Sequence, residues 1–186
     1  MTRRMCRSSY FKIGLLILII GVITLFFYER SSNSDFQIKK FNKERDTQFI
    51  LDWFEKDLYW LTNNPDFSPQ YMIDHMSPKK EPEYFGKQNI VMVYDKTIPV
   101  GFGAYYMKNF YEGYVHFVYI DREHRCKGYS KLLTQYMVDQ LFKLGAKYVK
   151  LYTRVNNVPA RSLYKKLGFK ESEPDDQGFI LLDMRA

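Results

Sequence analysis

The sequence is poor in the residues that make disulfide or metal chemistry. Its 186 residues include two cysteines, Cys6 and Cys126, far apart and in unlike surroundings, so no disulfide framework is expected. The three histidines, His75, His116 and His124, share no metal-ligand spacing with each other or with a cysteine, and no metal site is expected. There is no Asn-x-Ser/Thr sequon and no internal repeat. The net charge of +7 points less to nucleic acid than it first suggests, because Arg3, Arg4, Arg7 and Lys12 supply four of those charges ahead of the folded part. The length suits one domain with an extension.

That extension is apolar. From Ile13 to Tyr28 no residue is charged, and with Phe11 the run approaches the roughly 20 residues that cross a bilayer. Residues 1–30 are therefore expected to be a basic N-terminus and single-pass membrane anchor, in contact with lipid through residues 11–28, with 31–35 as a polar linker. A cleaved signal peptide is the competing reading, but the run closes in Phe26, Phe27, Tyr28, Glu29 and Arg30 rather than in a small-x-small site. The cations before the span place the following domain on the far side of the membrane. The chemistry below calls for the cytosol, and a cytoplasmic domain is the expectation on that ground.

Structure is expected from residue 36 onward. Phe36, Ile38 and Phe41 read as a short strand, and Phe49, Ile50, Trp53, Phe54, Leu58 and Leu61 follow helical spacing. A second helix spans Gln70 to Met76, and a loop runs from Ser77 to Pro82. Asn89 to Tyr94 and Pro99 to Met107 read as a hairpin, followed by a strand from Tyr114 to Ile120. A helix through Leu133, Met137 and Leu141 stops at Gly145. Then come a strand from Tyr148, a helix from Asn157 to Leu167 with Gly168 as its stop, and a last strand from Phe179 to Met184. This order, β-α-α-β-β-β-α-β-α-β, describes an α/β (α+β) domain whose mixed, mostly antiparallel sheet is flanked by helices.

Two stretches carry chemistry. Arg125, Cys126, Lys127, Gly128, Tyr129 and Ser130 form a glycine-bearing turn between strand and helix, with Lys131 adding charge. Such a turn aims backbone N–H groups at one spot beside a helix N-terminus, a geometry that binds phosphate. Some thirty residues on stand Asn157, Ala160, Leu163, Tyr164, Gly168 and Phe169.

The order of elements with these two motifs resembles the GNAT superfamily of acetyl-CoA-dependent N-acetyltransferases, from about residue 36 to the C-terminus. The family's loop reads Arg or Gln, two residues, Gly, one residue, then Gly or Ala. Ser130 departs at the last position and is still small. The resemblance implies acetyl-CoA as acyl donor, its pantetheine arm pairing with the backbone of Val118, Tyr119 and Ile120 and its pyrophosphate on the amides of residues 126–131, with Asn157 near the arm. It implies Tyr164 as the proton donor to the departing thiolate. A primary amine, small molecule or protein, would be the acceptor, and an ammonium of pKa about 10.4 must first lose a proton. Many relatives use a Glu on the fourth strand. Here that stretch offers Tyr114 and His116, two residues apart on one face, with Glu112 in reserve and a water chain as an equal alternative.

The acceptor side is expected at the first helices and at the acidic stretch Glu171, Ser172, Glu173, Pro174, Asp175, Asp176, with Tyr59, Trp60, Tyr71, Tyr105 and Tyr106 as candidate aromatic lining. Two other functions stay open at this stage: a degenerate acyl-CoA-binding protein at the membrane, and a basic membrane-surface module.

Overall fold

The structure, a computed structural model, describes residues 36–77 and 87–186. The anchor and linker expected over 1–35, and most of the loop expected from Ser77, lie outside the described residues. Among the described residues no helix is long and apolar enough to cross a membrane.

The elements are β1 (Phe36–Lys40), α1 (Lys43–Leu61), α2 (Pro69–His75), β2 (Asn89–Asp95), β3 (Ile98–Met107), β4 (Glu112–Ile120), a 3₁₀ turn (Arg122–His124), α3 (Tyr129–Lys143), β5 (Tyr148–Arg154), α4 (Val158–Lys166), β6 (Lys170–Pro174) and β7 (Phe179–Arg185). The seven described strands form one sheet in the order β1-β2-β3-β4-β5-β7-β6. Only β4 and β5 run parallel.

The expected order of elements is present with one correction. Of the acidic stretch Glu171 to Asp176, expected as a loop before the last strand, residues 171–174 lie in strand β6, paired antiparallel with β7. It is an edge strand with only one residue better than exposed, so it carries no apolar alternation by which to read it.

The sheet is buried on both faces. Val91 and Val93 of β2 turn towards Leu133, Met137 and Leu141 of α3. Ile90, Met92 and Tyr94 turn towards Ile50, Trp53 and Phe54 of α1 and Met72 and Ile73 of α2. Helices over both faces explain why β2 reads as a continuous apolar run. The helix α3 lies so close to β3 that a Cβ on Gly103 would stand 2.6 Å from the Met137 sulfur.

Buried carboxylates fix α1 at both ends. Asn42 caps the helix by accepting from the Arg45 amide at 3.0 Å, and Asp46 returns the contact by accepting from the Asn42 amide at 2.8 Å. Asp46, fully buried, also accepts from the Tyr94 hydroxyl at 2.7 Å. Near the other end Asp57 breaks the helical run with φ −131° and ψ 28°. Its buried carboxylate accepts from the Tyr119 hydroxyl at 2.9 Å, from Arg122 Nε at 3.0 Å and Nη2, and from Arg125 Nη2 at 3.3 Å. Burial alone would push the Asp57 carboxyl up; the bonds from Arg122 and Tyr119 outweigh it and hold the group below the usual carboxylate range.

A carboxyl depressed by folding adds stability above its unfolded pKa of about 3.9, and that stability is lost as pH falls through the folded value. Both arginines reach solvent, so the full cost of orphaning buried charges does not apply. Asp57→Ala is expected to lower stability at pH 7 by about 2 kcal/mol in urea unfolding, with an unchanged m-value. The gap between wild type and variant should narrow below about pH 4.

Candidate active site

The strand β4 pairs with β3 along its length but with β5 only through Glu112↔Tyr148, Gly113↔Val149 and Tyr114↔Lys150. Against β3 the register runs Tyr105↔Val115 and then Ala104↔Phe117, so His116 is the extra residue of a β-bulge. Regular alternation would put Val115 and Phe117 on one face. Instead Val115 joins the core under α3 and Phe117 the core under α1 and α2. Beyond the bulge β4 diverges from β5, and no described strand pairs with the β5-facing edge of residues 115–120.

The gap is a cavity of about 320 Å³. Tyr114, His116 and Val118 of β4, Asn157 before α4 and Tyr164 within it all border it. Five of the sequence-predicted site residues thus meet in one place. Tyr164 is buried, its hydroxyl has no hydrogen-bond partner among the described residues, and burial raises its pKa, so the phenol keeps its proton. The Asn157 side chain accepts from the Ala160 amide at 3.4 Å, capping α4. The His116 ring packs edge-on against Phe67 and Tyr106, each with 6.0 Å between centroids, and its Nδ1 lies 3.2 Å from Gln88 Oε1.

Tyr119 and Ile120 do not border the cavity with their side chains. The Tyr119 hydroxyl donates to Asp57, and Ile120 belongs to the α3-side core. Their backbone continues the open edge into the turn that precedes α3. There Cys126 has φ 64° and Gly128 φ 85°, both left-handed, and Gly128 is an N-cap that offers no side chain. Among the described residues no backbone carbonyl accepts from the amides of Cys126, Lys127, Gly128 or Ser130. A Cβ on Gly128 would meet nothing within 4 Å, so the space beside the turn is open.

The cations of this turn are less available than its backbone. Arg125 Nε donates to the Ile120 carbonyl at 2.9 Å, and its other end reaches Asp57. Lys127 pairs with Asp95 at 3.3 Å, the same carboxylate that accepts from the Tyr129 hydroxyl at 2.7 Å. Lys131 is exposed. Open backbone amides at a left-handed turn and an unpaired strand edge leading to it fit a ligand with a pyrophosphate and an amide-bearing arm.

The expected acceptor features fare differently. Glu171 is clamped by Arg161 at 2.8 Å and Lys165 at 2.7 Å, which hold its pKa down to about 2. Asp175 borders the cavity, with Oδ1 accepting from the amides of Gln177 and Phe179. Of the aromatic candidates only Trp60 borders it; Tyr59 stacks on Arg154, Tyr71 on His75, Tyr105 lies in the core and Tyr106 packs on Tyr114. Glu112, the reserve base, is buried away from the cavity and paired with Lys150 at 3.1 Å. Sequence reasoning missed Gln88, Tyr152 and Arg154. Gln88 follows a break in the pattern and has no motif; Tyr152 and Arg154 could have been found as the residues of β5 that follow the last pair with β4.

Residues 47–169 match the family described as Acetyltransferase (GNAT) family. A search of curated proteins finds no match. Among solved structures, yncA from Salmonella typhimurium with its cofactor acetyl-CoA superposes with a TM-score of 0.65 at 13% identity, over 82% of this chain and 94% of that one. The ribosomal-protein-S18-alanine N-acetyltransferase of Escherichia coli gives 0.57 at 16% identity, over 81% and 93%. Spermidine N-acetyltransferase from Vibrio cholerae gives 0.63 at 18% identity, over 82% and 95%. At these identities the superpositions show the fold, and the match over residues 47–169 shows the family. The chain belongs to the GNAT family of acetyltransferases, whose acyl donor is acetyl-CoA.

Proposed function

We propose that the chain is an N-acetyltransferase that moves the acetyl group of acetyl-CoA to a primary amine by direct attack. The observation that carries this reading is the convergence on one cavity of a β4 edge and a Tyr164 hydroxyl that, among the described residues, have no partner. Val118, Tyr119 and Ile120 would hold the arm of the donor through their backbone, and residues 126–131 its pyrophosphate. The donor supplies an acetyl thioester, already activated for transfer.

The remaining work falls to side chains of this chain. Tyr164 holds a proton on Oη that the leaving sulfur can take, and its raised pKa keeps that proton in place at neutral pH. His116 is the proton acceptor for the attacking amine, with Tyr114 beside it at 6.1 Å between ring centroids. The solved relatives act on a ribosomal protein alanine in one case and on spermidine in another, so the fold accommodates proteins and small molecules alike. The apolar run from Ile13 to Tyr28, with Phe11, supports a form tethered to lipid, with the domain facing the acetyl-CoA of the cytosol; protease protection in sealed membranes tests that placement.

Turnover is read as thiol release from acetyl-CoA with an amine acceptor. Tyr164→Phe is expected to lower kcat at least tenfold while leaving the KM for acetyl-CoA within about twofold. An unaltered kcat would remove Tyr164 as the acid. With His116 as base, kcat should rise with pH as the imidazole gives up its proton, and His116→Ala should flatten that limb. A limb that survives the substitution would assign the proton to another group.

A further inference from the structure

A turn that binds through backbone amides must hold them in place before the ligand arrives, because ordering left to the binding step is subtracted from affinity. The turn after β4 is an unfavourable conformation to hold. Cys126, a residue with a Cβ, sits at φ 64°, a left-handed backbone that persists only where its surroundings impose it. Its neighbours on both sides are tethered, and the tethers end on two carboxylates of unequal standing.

Lys127, on one side, pairs with Asp95 at 3.3 Å, and the two side chains are 48% and 21% exposed. A surface pair of this kind holds little. Arg125, on the other side, is fixed at both ends: Nε donates to the Ile120 carbonyl at 2.9 Å and Nη2 to Asp57 at 3.3 Å. The Asp57 side chain is fully buried and also accepts from the Tyr119 hydroxyl and from Arg122. The preceding residue of α1, Lys56, pairs with Asp121 at 2.9 Å. Two consecutive residues of one helix thus clamp the stretch 121–125 that leads into the turn. Past the break at Asp57 the same chain supplies Trp60, Leu61, Thr62 and Asn63 to the border of the cavity, where Asn63 Nδ2 donates to Gln177 Oε1 at 3.1 Å.

The helix α1 carries a control for this arrangement. Asp46 is as buried as Asp57 and, like it, accepts from a tyrosine hydroxyl and an arginine. Its partners, Asn42, Arg45 and Tyr94, all lie outside the turn and the stretch leading to it. Loss of either charge weakens the packing of α1 on the sheet; only loss of Asp57 releases Arg125.

We propose that Asp57 is a positioning residue for acetyl-CoA, which through Arg125 and Arg122 holds the turn of residues 125–130 in its binding conformation and ties it to the wall of residues 60–63 that would face the acceptor. The inference rests on the N-acetyltransferase reading above and deepens it. It is tested by calorimetric titration of the full chain with acetyl-CoA at pH 7.5, in wild type, Asp57→Asn and Asp46→Asn, with the unfolding temperature of each. Asp57→Asn should raise the Kd about tenfold or more, and Asp46→Asn, destabilised to a similar degree, should leave it within about twofold. Arg125→Lys gives a second readout that does not depend on Asp57→Asn folding: it keeps a positive charge beside the turn, but one ammonium cannot reproduce the two-ended grip of the guanidinium, so its Kd should also rise about tenfold or more. Unchanged affinity in Asp57→Asn or in Arg125→Lys, or equal losses in Asp57→Asn and Asp46→Asn, overturns the positioning role and leaves the acetyltransferase reading standing. No binding by wild type overturns both.

Discussion

Everything at the candidate site depends on one failure of pairing. Two parallel strands, β4 and β5, hold together for three residue pairs and then part, because His116 enters β4 as an extra residue and bends it. The bend has three consequences. It moves Phe117 to the opposite face from Val115, so β4 ties together the cores on both sides of the sheet. It leaves a row of backbone groups with no described strand beside them, an edge to which an extended ligand can pair. And it opens the cavity into which Tyr164 and Asn157 project from the far side.

A second interaction keeps the two ends of that site in register. Asp57 interrupts α1 and gathers Tyr119 of β4, Arg122 of the 3₁₀ turn and Arg125 of the left-handed turn on one buried carboxylate. The residues of α1 after this break, Trp60 and Leu61 among them, reach the cavity. One carboxylate therefore links the turn proposed to hold pyrophosphate with the wall proposed to face the acceptor. Charges read from the sequence as ligand contacts, Arg125 and Lys127, stand in this framework as builders of the turn, and its phosphate-binding capacity lies in the backbone amides.

How much of this was legible in the sequence follows from the range of the interactions. The helices were readable because their apolar faces repeat at 3.6 residues and Gly145 and Gly168 stop them at φ near +100°. The two motifs were readable because each is local, so Gly128 and Tyr164 could be placed without knowing what lies opposite. The strand β6 was not, since it is held by pairing with β7 and by ion pairs of Glu171 to α4, neither of which leaves a periodic trace. Nor was the contact of Gln88 with His116, which joins residues 28 apart in sequence. Asp57 belongs to no motif, and only the fold shows it buried among partners more than sixty positions away.

The most direct test of the account is a calorimetric titration of the chain with acetyl-CoA, in wild type and in Gly128→Glu. The substitution puts a negative charge beside the amides of the turn, in space where a Cβ meets no neighbour, and its one structural cost is backbone strain at φ 85°, about 1 kcal/mol, which leaves the protein folded at the temperature of the titration. The account predicts saturable one-to-one binding to wild type and none to the variant, with the variant still folded and its unfolding temperature only a few degrees lower. Equal binding by both proteins, or no binding by wild type, would contradict the assignment of the turn and the open β4 edge to the acyl donor.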